Sequence, residues 1–109
     1  MFNLTSVNQV MKFKINSISS IEDLRSFLKD FFNGEEVEIF LFGSRAKGNF
    51  RQTSDIDLAF LSEGEISYKL SLLKDILENS NLAQKVDIIE LKKAPRLKQV
   101  IDNEGIRWI

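Results

Sequence analysis

Asp55 and Asp57 are the residues whose type and spacing first suggest chemistry. They stand in the run Ser-Asp-Ile-Asp-Leu-Ala-Phe. Successive side chains of an extended segment point to opposite faces, so both carboxylates project the same way, about 6–7 Å apart at the backbone. Two anions held that close repel each other unless a cation lies between them. Ile56 and Leu58 take the opposite face, which puts the pair at the start of a buried strand. Two readings stand: a divalent-metal site, or a solvated strand end with two surface aspartates.

Three further features bear on that choice. Gly43 and Ser44 follow the apolar run ending at Phe42. A glycine there lets the backbone approach a ligand closely, and Ser44 can cap a short turn over Arg45, Ala46 and Lys47 whose amides then face a phosphate. The alternative for Gly-Ser is a plain helix cap. Arg45, Lys47 and Arg51 make the bridging loop basic, or simply solvated, and Gly48-Asn49 lets it turn sharply. Asp87 is one charge inside Lys-Val-Asp-Ile-Ile, where burial is expensive unless the carboxylate is paired or metal-bound. It is either a structural ion-pair partner of Arg45 or Arg51, or a third carboxylate beside Asp55 and Asp57, one strand spacing (about 4.8 Å) away.

Composition narrows the chemistry. The chain has no cysteine and no histidine, so thiolate and imidazole ligands are excluded and any metal must take oxygen ligands, as magnesium, manganese and calcium do. A carboxylate is then the available general base. The net charge is −1, which leaves no broad basic surface for direct nucleic-acid binding. No apolar run approaches the roughly 18 residues of a membrane span, and residues 1–16 lack the order of a signal peptide, so a cytoplasmic location is the default. With 109 residues the chain reads as one domain.

The elements that must position these residues follow from pattern. Ser20 can cap a helix carrying Ile21, Leu24, Leu28 and Phe31 at helical spacing, with Glu22 and Asp23 in its first turn and Asn33-Gly34 at its end. Val37 to Phe42 reads as a buried strand, and Asp55 to Leu61 as a second one. Ile66, Leu70, Leu73 and Leu77 space another helix, and Lys85 to Leu91 is a third strand. Pro95 suits the first turn of a last helix through Val100 and Ile101, and Ile106 to Ile109 either extends or adds a short edge strand. The fold class is therefore α/β, a small mixed sheet with helices packed mainly on one face. Residues 1–17 read as an N-terminal extension without assigned function, and 18–109 as the domain.

Gly43-Ser44, ten intervening residues, then Asp55-Ile56-Asp57 resembles the signature of the DNA polymerase beta-like nucleotidyltransferase superfamily. The longer run Phe-Gly-Ser-Arg-Ala-Lys-Gly to Ser-Asp-Ile-Asp-Leu-Ala is similar to its minimal nucleotidyltransferase domains, which often pair with a helical HEPN-domain protein. The resemblance covers Ile21 to the C-terminus and is strongest from Phe40 to Glu90. It implies that Asp55, Asp57 and Asp87 hold two magnesium ions on the phosphates of ATP or another nucleoside triphosphate. It implies that Gly43 and Ser44, with Arg45 and Lys47, contact those phosphates, and that Asp87 helps to deprotonate an incoming hydroxyl. The absence of a basic track and of length for a second domain points to an acceptor carried on another protein. For the minimal family this means an antitoxin that adenylylates its HEPN partner, or a module that neutralises that partner without turnover.

Overall fold

The computed structural model describes residues 17–109; most of the expected N-terminal extension, residues 1–16, lies outside them. The first helix, α1, is Ile21–Phe31. Ser20 caps it as its residue type predicts: its hydroxyl accepts from the Asp23 amide at 3.1 Å, and Asp23 in turn accepts from the Ser19 amide at 3.1 Å. Strand β1 follows at Val37–Phe42, then a single helical turn α2 at Ser44–Lys47. The remaining elements are β2 (Ile56–Ser62), α3 (Ser67–Glu78), β3 (Val86–Glu90), α4 (Lys98–Glu104) and β4 (Ile106–Arg107).

The four strands lie in the order β3-β2-β1-β4. β1 pairs antiparallel with both β2 and β4, while β2 and β3 run parallel, so the sheet is mixed as expected. Strand alternation gives the sheet two apolar faces. Ile39, Leu41, Ile56, Leu58 and Phe60 point to one face and are covered by α1 and α3 through Leu24, Phe27, Leu28, Leu70 and Leu73. The opposite face carries Ala59, with Phe40 and Phe42 packed beside it, under Leu91, Leu97 and Ile101 of the C-terminal segment. The two long helices therefore share one face and the short α4 takes the other.

Element ends differ from the sequence expectation where side-chain pattern gives way to backbone pairing. β2 begins at Ile56, one residue after Asp55, and β3 spans Val86–Glu90 rather than Lys85 to Leu91. Leu91–Lys93 turns as a 3₁₀ helix. Pro95 opens a second 3₁₀ turn, Pro95–Leu97, and α4 starts only at Lys98. Proline presets the right φ for either helix type, so its position alone does not choose between them.

Candidate active site

Three strand ends meet at one edge of the second face. Phe42, the last residue of β1, is the register partner of Asp57 on β2, and Asp57 is the register partner of Asp87 on β3. Residues paired across neighbouring strands present side chains to the same face, so Asp57 and Asp87 are brought together by backbone pairing alone. Asp57 is half-buried, and its carboxyl is held above the usual carboxylate range. Burial is the first cause; the Asp87 charge, a side-chain hydrogen bond with Asp87 and the Asp55 charge follow, with Lys85 opposing them. Asp87 carries its own counter-ion, Lys85, at 3.4 Å. Asp55 sits just before β2, exposed and on the flank of the pair.

The glycine turn closes against this pair. Gly43 has φ +76, a region side-chain-bearing residues rarely adopt, and a Cβ there would overlap Asp57 Oδ2 and lie 3.2 Å from its Cγ. Glycine is thus required twice, by its backbone angle and by the carboxylate against it. Gly43 is also the N-cap of α2, so Ser44 is not the cap but the first helical residue. The amides of Ser44 and Arg45 open that turn with no carbonyl four residues behind them inside it.

Arg45 and Lys47 are both engaged by other groups of the protein. The Arg45 guanidinium donates to the carbonyls of Ser54 (3.2 Å), Arg51 (3.4 Å) and Gln52 (3.0 Å), and stacks 4.7 Å from the Phe50 ring. Among the described residues it makes no ion pair with a carboxylate; it ties the 48–55 loop. Lys47 reaches the other way, to Glu104 at 3.3 Å. Nor does Arg45 or Arg51 answer Asp87, because Lys85 is two residues away on the same strand face. That i, i+2 spacing was a readable signal. Two loop residues carry weight that sequence reading missed. The Ser54 hydroxyl accepts from the Arg51 amide at 2.9 Å, and Gln84 donates to the Gln52 carbonyl at 2.9 Å, linking the loop to the approach of β3.

A cleft of about 720 Å³ opens beside Asp57 and Asp87 and runs along β3. The donor set suits a hard divalent cation such as magnesium, since the ligands on offer are carboxylate oxygens whose mutual repulsion a cation relieves, with Lys85 already countering part of it. Among the described residues, no group of three or more Asp, Glu, His or Cys side chains is drawn close enough to enclose a metal ion. The pair is Asp57 and Asp87, with Asp55 to one side.

The family model described as polymerase beta, nucleotidyltransferase matches residues 22–108. The chain belongs to this nucleotidyltransferase family. Its turn, its paired aspartates and its cleft all lie inside the matched region. It is 30% identical over 63 residues to a Methanocaldococcus jannaschii protein provisionally named a protein adenylyltransferase, covering 58% of this chain and 63% of the relative. It is 36% identical over 56 residues to Haemophilus influenzae MntA, also provisionally named a protein adenylyltransferase, covering 50% of this chain and 49% of the relative. The chain thus spans about half to just under two thirds of the curated relatives it matches. Among the described residues, no helix is long and apolar enough to cross a membrane.

Proposed function

We propose that this nucleotidyltransferase domain moves a nucleoside monophosphate, AMP from ATP, onto a hydroxyl of a partner protein. The observation that carries the reading is the abutment of Gly43 on Asp57, with Asp57 paired to Asp87. One small region thereby holds a phosphate-sized turn, two converging carboxylates and an open cleft for the acceptor. Both relatives are named protein adenylyltransferases, which supports the choice of acceptor and nucleotide. The likeness of the motif to minimal nucleotidyltransferase domains supports a HEPN-domain protein as the partner and an antitoxin role.

Phosphoryl-type transfer asks a protein mainly for positioning and charge. The acceptor oxygen attacks the α-phosphorus, the bond to the β-phosphate oxygen breaks, and pyrophosphate departs with that electron pair. The hydroxyl proton passes to a site carboxylate, in this reading Asp87. Asp57 and Asp87, with Asp55 on their flank, would hold the magnesium, which would supply charge neutralisation on the phosphates. Gly43 and Ser44 line the β/γ-phosphate side. Arg45 acts on the loop carbonyls, so its part is to hold Asp55 and the start of β2 in place.

A second reading, a nucleotide-binding module that neutralises its partner without turnover, draws on Asp55 standing apart from the closer pair. Incubation of the chain with magnesium, ATP and the candidate HEPN partner, read by intact mass, separates the two. Transfer adds about 329 Da to the partner, the mass of one adenylyl group. Asp57→Asn is expected to abolish that gain while partner binding persists. A partner that stays unmodified but bound favours the module.

A further inference from the structure

Among the described residues β3 is an edge strand with no strand paired to its outer side. The Ile56 amide donates to the Lys85 carbonyl at 2.9 Å. In a parallel ladder the two main-chain groups of one residue face the same side, so Lys85, Asp87 and Ile89 bond toward β2. The N–H and C=O groups of Val86, Ile88 and Glu90 therefore point outward, and no strand pairs with them among the described residues. Edges are normally blunted by shortness, proline, bulges or inward charges. The opposite edge, β4, is only two residues long. β3 is five residues, carries no proline, and beside the charged Asp87 and Glu90 presents Val86, Ile88 and Ile89.

The cleft beside Asp57 and Asp87 follows this edge and has an apolar wall on each side of it. Leu77 and Leu82 stand on the side of Val86 and Ile88, and Phe42 and Leu97 on the side of Ile89. Gly43 closes the β1 side of Asp57, so an acceptor entering from the cleft arrives over β3. The lining carries both signs of charge, Lys74 and Lys85 against Asp57, Glu78 and Asp87, with Lys85 paired to Asp87.

The geometry points to an extended peptide segment of the partner as the acceptor, added as a strand to the outer edge of β3. This rests on the protein-directed transfer proposed above and says how the hydroxyl is delivered. On a strand beside β3, the residue next to Asp87 projects to the same face, with Cβ atoms about 5 Å apart, so a hydroxyl there meets the site carboxylates. The residues on either side of it project to the face of Val86 and Ile88, and the residue two along meets Ile89 and Leu97. The segment is therefore a hydroxyl residue flanked by apolar residues. Main-chain bonds to Val86, Ile88 and Glu90 supply affinity and the alternate side chains supply selection. A second copy paired through its own β3 does not fit the role, since Val-Asp-Ile-Ile-Glu offers no hydroxyl.

The probe is an eleven-residue synthetic peptide with a central serine, threonine or tyrosine, valine and isoleucine around it, and uncharged polar residues at its ends for solubility. Its binding to the full chain is followed without nucleotide, by amide hydrogen exchange at Val86, Ile88 and Glu90. Exchange at these amides is expected to be fast in the free chain and to slow at least tenfold with peptide. N-methylation of the peptide amides that face β3 is expected to weaken binding at least tenfold, and N-methylation of the amides that face away to leave it unchanged. Equal binding by both N-methylated peptides, no change at the three amides, or protection already present in the free chain would each overturn the inference. The last result would mean that a second copy or another part of this chain covers the edge. A separate incubation with magnesium and ATP tests the reading beneath it. Transfer to a folded partner but never to a bound peptide sinks the strand delivery alone. Peptide held at the edge, with no transfer to any protein, leaves the edge site and sinks the transferase.

Discussion

Gly43 and Asp57 are the two residues whose demands are hardest to separate. A side chain at Gly43 meets both an unfavourable φ and the Asp57 carboxylate. Gly43→Ala is expected to cost about 1–2 kcal/mol from the backbone angle alone. It also swings Asp57 off its register partner, so adenylyl transfer should drop below detection while far-ultraviolet circular dichroism stays native. Asp57 itself is a stability liability without a cation. Its folded-state value lies above the unfolded one, chiefly through burial and then through Asp87, so the fold holds its proton more tightly than the open chain does. Stability then falls as pH rises through the window between the two values: the penalty is full above the folded value and absent below the unfolded one. Asp57→Asn should therefore raise Tm at pH 7 in chelator and lose that advantage as the pH is brought into the carboxylate range. Added magnesium should raise the Tm of the parent chain and not of the variant, a comparison read directly by thermal melts.

At the scale of elements, the loop between α2 and β2 decides whether the site is assembled. The sequence shows a basic, glycine-containing loop, and the natural inference from charge is phosphate contact. The structure spends Arg45 on three carbonyls instead, because a loop that turns on Gly48 leaves main-chain acceptors without strand partners, and a planar guanidinium can satisfy several at once. Charge in a loop is legible; which acceptor it finds is not, since that depends on the folded path of residues 48–55. Arg45→Lys keeps the charge and loses the fork. It is expected to lower kcat about tenfold by misplacing Asp55 and Asp57, with KM for ATP little changed and Tm within a few degrees of the parent. An Arg45 that touched phosphate would instead raise KM for ATP. The helix ends were more readable. Ser20 caps the helix through the Asp23 amide while Asp23 accepts from the Ser19 amide, and Ser20→Ala should cost about 1 kcal/mol in denaturant unfolding.

For the whole molecule, the sheet divides stability from function between its faces. The periodicity of α1 and α3 made the larger core legible, as amphipathic helices must bury one stripe and the sheet offers the surface. The smaller core under α4 was less so, because two short 3₁₀ turns and a seven-residue helix leave too few repeats for a period to emerge. The Asp57–Asp87 pairing needed the register of β2 against β3, which strand pattern alone does not supply. The two faces should respond differently to truncation. Phe60 is fully buried in the larger core with its ring centroid 5.7 Å from that of Phe32. Phe60→Ala is expected to cost about 3–5 kcal/mol, enough to unfold much of a small domain of ordinary margin. Ile101 belongs to the smaller core, on the same face as the carboxylates. Ile101→Ala should cost less, about 2 kcal/mol, yet impair transfer more than its stability loss implies, since Phe40 and Phe42 pack around it and Phe42 is the register partner of Asp57. Trp108 is the sole tryptophan, packs against the larger core and has the Arg25 guanidinium 5.9 Å from its ring, so its fluorescence reports the unfolding of both variants. Equal losses of stability, or an Ile101→Ala chain with full transfer at a temperature where it is folded, would refute this division of labour.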